Sequence, residues 1–213
     1  MKKILFNDKY GLTQAVLEGR KTQTRRLIKC RKTFKGEWVA GFNIHIRPSD
    51  KKVVGLPCMY DADESEFDGG EILPKYNVGE VVAVAQSYRD CGGINKDGRP
   101  NWDVIAEAKG ASNAGWNNKM FVRSDIMPHQ IRITDVRVER LQDISDEDCI
   151  KEGVRKVVNE NGIYVQYYVG KGDNACSFEN PREAFAYLIN KTCGKKTWEN
   201  NPYVFVYEFK LVK

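Results

Sequence analysis

The chain has 213 residues, 41% of them hydrophobic and 11% aromatic, which suits a single domain with a buried core and room for insertions. Its formal net charge is +5, and its longest apolar runs are of strand length, too short to span a membrane. Six cysteines without a CxxC pair, at 30, 58, 91, 149, 176 and 193, and only two histidines, His45 and His129, argue against a zinc site or a disulfide framework. The opening "MKKILFNDKYG" has a basic start but too little apolar length for a signal peptide. The expectation is a cytoplasmic protein with reduced thiols, no metal, no cofactor and no membrane partner.

Residues 8–18 read as a short helix. Leu12, Ala15, Val16 and Leu17 share a face, Asn7 or Asp8 can cap the start, and Gly19 suits the left-handed position past the end. "TQTRRLI" then continues as an extended segment. In "GEWVAGFNIHIRP" the alternation predicts a strand with Phe42, Ile44 and Ile46 inward. "PSDKK" is a turn, and "VVGLPCMYDA" reads as the returning strand. The acidic stretch 61–71 reads as a loop, and the whole of 30–75 as an insertion.

"YNVGEVVAVAQSY", Tyr76 to Tyr88, predicts a core strand opened by Gly79. Residues 89–119, rich in Gly, Asn and Asp, read as a long functional loop. His129 to Leu141 gives the strongest strand pattern. Ile131 and Ile133 share one parity, Val136 and Val138 the other, so a bulge is expected at Thr134-Asp135. "ISDEDCIKEGV" is a short helix capped by Ser145 with Asp148 and closed by Gly153. Residues 155–180 read as a hairpin-like excursion. "NPREAFAYLINKTCG" is a helix with Pro181 in its first turn, and "NPYVFVYEFKLV" a final strand. Strands with short helices between them point to an α+β, barrel-like domain rather than a doubly wound sheet.

The charge is unevenly spread. Residues 19–35 hold eight Lys/Arg and no acid, whereas 61–71 hold six acids and no base. A basic block is either a solvated face or the footprint of a phosphate-bearing partner.

Four segments, "LEGRKTQTRR", "YNVGEVVAV", "ITDVRVERLQDISDEDCIKEGV" and "TWENNPYVFVYEF", together resemble the ASCH domain family, in the long form common in phages and prophages. The resemblance spans most of the chain apart from much of 30–70, 90–118 and 155–178. It implies one domain over 1–213 with a PUA-like fold, a small β-barrel of mixed strands with short flanking helices, and insertions at about 30–75, 89–119 and 155–180. The family is regarded as RNA-binding. One small bacterial member deacetylates 4-N-acetylcytidine with a lysine, a threonine and a glutamate, and another is assigned ribonuclease activity.

Carried over through "GRKTQTRR" and the end of the helix after the bulged strand, the triad corresponds to Lys21, Thr24 and Glu152. Those residue types suit amide hydrolysis as base, nucleophile and acid. In a regular strand residues 21 and 24 face opposite ways, so the backbone must turn between them.

This sequence also departs from the family. After "VGE", a Trp and an Arg-Glu pair are replaced by Ala83, Ala85 and Gln86. Met127-Pro128 is kept in "VRSDIMPHQIRI", but an Arg-Trp is lost. Gln86, Tyr88 and His129 are candidates for a changed pocket.

Two main readings follow. In one, the basic cleft binds RNA or a modified nucleotide: Arg20, Lys21, Arg25 and Arg26 hold phosphate beside Thr22, and Tyr88, Trp102 or Trp116 stacks on a base. In the other, Lys21, Thr24 and Glu152 hydrolyse the amide of acetylated cytidine. A ribonuclease or a non-catalytic phage accessory protein remains as a further alternative, and the oligomeric state is open.

Overall fold

The computed structural model describes residues 1–93, 113–159, 161–162, 164–172 and 175–212. Trp102 and most of the 89–119 segment lie outside the described residues. In chain order the chain forms β1 (Lys3–Ile4), α1 (Leu12–Leu17) and β2 (Gln23–Leu27), then β3 (Thr33–Phe34), β4 (Glu37–Trp38), β5 (Gly41–Asn43), β6 (Cys58–Tyr60) and β7 (Glu66–Glu71). There follow β8 (Val81–Val84), β9 (Gln130–Arg140), α2 (Asp146–Lys151), β10 (Arg155–Val158), β11 (Val165–Val169) and β12 (Cys176–Phe178). The helices α3 (Pro181–Cys193) and α4 (Thr197–Asn200) precede the last strand, β13 (Tyr203–Leu211). The architecture is α+β, mostly sheet with short helices.

The central sheet has five strands in the order β1-β8-β9-β13-β2. Only β1 and β8 run parallel; the other pairs are antiparallel. β13 lies between β9 and β2, and its Val204, Phe205, Val206, Tyr207 and Phe209 are all buried, as a strand covered on both faces requires. In β9 the register shifts so that Asp135 faces Glu208 and Ile133 faces Phe209, leaving Thr134 as the extra residue. This is the bulge that the parity slip predicts. It lets Ile131 and Ile133 before it, and Val136 and Val138 after it, pack on the same core.

Local signals account for the short helices. Asn7 Oδ1 accepts from Lys9 N–H, starting a single 3-10 turn over Asp8–Tyr10, and Gly11 at φ 70° separates that turn from α1. Ser145 Oγ accepts from Asp148 N–H and opens α2. Asn180 caps α3, with Pro181 at its first position. α3 turns Ala184, Phe185, Leu188 and Ile189 into the core, the spacing of one helical face.

The segments read as insertions form small sheets of their own. β3 and β4 make a hairpin, β5, β6 and β7 an antiparallel sheet, and β10, β11 and β12 another. Two expectations differ here. The acidic stretch 61–71 contains strand β7, because its Glu66 and Glu71 pair across to Tyr60 and Cys58. Ile46 points outward at 46% exposure: beyond β5 the hairpin continues only as an isolated Ile46–Val53 bridge with a few backbone hydrogen bonds, too short to build a face that covers it. All six cysteines are free thiols. Among the described residues no helix is long and apolar enough to cross a membrane.

Candidate functional site

Lys21 lies before its strand begins. Past α1 the chain turns at Gly19, which takes φ 72°. Lys21 N–H then donates to Ala15 O at 2.9 Å, and Thr22 N–H to Lys151 O at 2.9 Å. The extended register starts only at Gln23. The turn required for residues 21 and 24 to meet therefore occurs, and both line one cavity of about 520 Å³ with Glu152. Arg25 and Arg26 also line it, and Phe6, Leu12 and Phe185 are among its apolar residues.

The Lys21 side chain is 2% exposed. Its ammonium uses all three protons, on Gln23 O at 2.7 Å, Glu152 O at 2.6 Å and Glu152 Oε2 at 2.7 Å. Burial pushes its pKa below the usual 10.5; the Glu152 carboxylate pulls the other way, and Arg26 and Arg25 add to the lowering. Gly153, at φ 108°, makes this packing possible. A Cβ there would sit 2.9 Å from Leu12 Cδ2 and 3.5 Å from Lys21 Cδ.

Glu152 is the residue that ends α2, a position where an acid opposes the helix dipole. Two cations offset this: Oε2 meets Lys21, and Oε1 accepts from Arg25 Nη1 at 3.0 Å. Arg25 also reaches Glu139 Oε1 at 2.6 Å and Asp148 Oδ2 at 3.3 Å. Burial works against its charge, but the carboxylates of Glu152 and Glu139 outweigh it, and its pKa lies above the usual value. Arg25, expected to hold phosphate, is thus paired with three protein carboxylates while lining the cavity. The Thr24 hydroxyl differs from these groups. The residue is buried, yet the hydroxyl has no hydrogen-bond partner among the described residues.

The other candidates separate. Arg26 is exposed at the cavity rim and donates to Leu5 O at 2.7 Å. Arg20 pairs with Glu18 at 2.6 Å on the surface outside the cavity. Thr22 does not line it; its backbone joins Lys151 and Phe209. The Tyr88 ring is buried with Ala83, Ala85, Val122 and Met127 under Gly115, so it has no free face for a base, and half-buried Trp116 packs on the same cluster. Gln86 and His129 line a separate cavity. Sequence reasoning missed Phe6 and Lys119. Lys119 pairs with Asp8 at 2.8 Å and donates to Thr13 Oγ1 at 3.0 Å from a segment without periodicity, so no pattern announced it.

No family model matches this chain, and neither does any curated protein or solved structure. Among the described residues no three His, Cys, Asp or Glu side chains form a metal-binding group. The site is a half-apolar cavity whose lining brings together a threonine hydroxyl unpaired among the described residues, a lysine of lowered pKa and a carboxylate held by two cations. Such a set can carry out acyl transfer.

Proposed function

We propose that this chain is an ASCH-type domain with a PUA-like fold that takes a nucleoside into the Lys21–Thr24–Glu152 cavity and hydrolyses the acyl amide of a modified cytidine. One observation carries the reading: the Thr24 hydroxyl, unpartnered among the described residues, belongs to the same cavity as the buried Lys21–Glu152 pair. Lys21 passes a proton to Glu152 across their 2.7 Å contact. The resulting amine takes the Thr24 proton through one intervening water, since the two side chains are not in hydrogen-bond contact, as Oγ attacks the acyl carbonyl. The C–N bond then breaks, and Glu152 returns its proton to the departing exocyclic nitrogen. In the second half-reaction Lys21 again passes a proton to Glu152 and takes one from water, whose oxygen attacks the acyl carbonyl. The bond to Thr24 Oγ breaks and Glu152 gives its proton to that oxygen, freeing the acid and restoring the hydroxyl. The net reaction is amide plus water giving amine plus carboxylic acid. Burial of Lys21 serves the first step by lowering the cost of losing its proton.

The test is incubation of the purified chain with 4-N-acetylcytidine and chromatography for cytidine. Product that disappears in Thr24→Ala supports the reading, and undiminished product in that variant removes Thr24 as nucleophile.

A second reading, binding of an RNA strand without turnover, is favoured by a different observation. Arg26 lines both this cavity and a neighbouring groove of about 380 Å³ that Lys29 and Lys75 also line. A chain of phosphates fits that row of cations. Affinity for a short RNA that falls steeply with salt, without any product from acetylcytidine, selects this reading.

A further inference from the structure

A second cavity, of about 460 Å³, lies beyond Asp8 and Thr13, with Ala85, Gln86, Asp90, His129 and Lys171 among its lining residues. Lys119, bonded to both Asp8 and Thr13, forms the partition toward the first cavity. The two cavities differ in one respect that points to a ligand. In the first, the buried charges are matched by protein groups. In the second, Gln86 is 6% exposed, its Oε1 is buried, and its amide makes no hydrogen bond with any described residue. The half-buried His129 ring has no hydrogen-bond partner among them either. An unpaired buried amide is costly to fold, so its persistence needs a reason.

We propose that this cavity binds a nucleobase: an uncharged planar nitrogen heterocycle with a donor beside an acceptor along one edge. The Gln86 amide offers the complementary acceptor and donor in one plane, as glutamine does toward a base edge. His129 supplies an unpaired aromatic ring, and Leu17 and Ala85 supply apolar wall. The lining charges are mixed, Asp8 (paired with Lys119) and Asp90 alongside Lys171, so the cavity presents no net positive charge to a phosphate and favours an uncharged base. The base comes either from a free nucleoside or from an RNA strand. The site shares none of Lys21, Thr24 and Glu152, and it goes beyond the proposed hydrolysis by adding a second base position.

The experiment is nuclear magnetic resonance of the ¹⁵N-labelled full chain, with the Gln86 side-chain amide assigned by its loss in Gln86→Leu. Cytidine, uridine, adenosine and guanosine are titrated to millimolar concentration, followed by a mixed-sequence RNA ten nucleotides long. A saturable shift of the Gln86 signal with a nucleoside identifies a free ligand; a shift only with the RNA identifies a strand. Gln86→Glu exchanges the donor for an acceptor, and it is expected to weaken the bound base at least about tenfold while turnover of acetylcytidine is unchanged. No shift with any of the five ligands overturns the proposal, as does a shift that Gln86→Glu leaves at full affinity. The ligand-dependent shift is read on the unaltered chain, and its assignment is checked in both variants, each lacking the side-chain amide. The affinity of Gln86→Glu is followed on the backbone amides of Ala85 and His129, in a variant whose remaining backbone spectrum matches that of the unaltered chain. A Gln86 shift without acetylcytidine turnover would sink the hydrolase reading and leave this one standing.

Discussion

Arg25 and Arg26 are neighbours in one basic motif and have opposite fates. Strand alternation sends Arg25 inward, where it meets Glu139, Asp148 and Glu152, and Arg26 outward to the cavity rim. The same division runs through the whole block from 19 to 35. Lys21 and Arg25 are built into the scaffold between α1, α2 and β2, whereas Arg20, Lys29, Arg31, Lys32 and Lys35 are exposed. A cluster of cations in sequence is therefore not one electrostatic surface. Here two of its members are scaffold for a cavity and the rest face solvent.

The sharpest way to break that comparison is at Thr24. Thr24→Ala is expected to lower turnover of acetylcytidine at least about a thousandfold. The melting curve should move little, because the hydroxyl it removes bonds to none of the described residues. A large loss of stability would place Thr24 with the scaffold instead.

Glu152→Ala comes next. It leaves the Lys21 and Arg25 cations facing each other without their shared carboxylate, and it should cost about 3–5 kcal/mol in chemical denaturation. The double exchange of Arg31 and Lys32 for alanine is the contrasting control, at under about 0.5 kcal/mol per site.

Gly153→Ala is a smaller perturbation of the same centre. The left-handed φ costs about 1–2 kcal/mol in a non-glycine residue, and the new methyl presses on Leu12 and the Lys21 stem. Stability and turnover should fall together in that variant. A neutral result would mean that the Lys21 packing has slack.

The pH dependence sharpens the role of Lys21. Its folded pKa lies below the 10.5 of the free side chain. Between those two values the unfolded chain binds the extra proton, so stability should rise with pH across that window. Lys21→Met should flatten that rise. The smallest effect belongs to the exposed cations: Lys29→Ala should reduce the salt slope of RNA affinity by about one unit, with no change in acetylcytidine turnover.

Much of the frame was legible because it rests on local rules. The Thr134 bulge followed from a parity slip, the turn past α1 from Gly19, and the start of α2 from Ser145. Strand β1 was not legible, since two residues carry no alternation, and β7 was hidden by acids on a strand that pairs at the periphery. The choice of Lys21, Thr24 and Glu152 came from resemblance rather than pattern. The pairing of Lys21 with Glu152 spans 131 residues, and no local period encodes it. Gln86 and His129 were expected in the same cleft. Their separation depends on Asp8, Thr13 and Lys119 meeting, which a one-dimensional reading cannot supply.

The position of β13 has a consequence for how the molecule is made. It is the last strand, yet it lies between β9 and β2, and Phe209 N–H donates to Thr22 O beside the cavity. During synthesis, β2 emerges more than a hundred residues before β13, its sheet partner among the described residues. The Arg25 guanidinium meets Glu139, Asp148 and Glu152 earlier, but the backbone edge of β2 must wait unpaired until β13 emerges, a period when nascent protein is most exposed to mispairing and to chaperones. A chain cut before Tyr203 would keep every residue of the candidate triad and still lack the strand that holds β2 to the rest of the sheet.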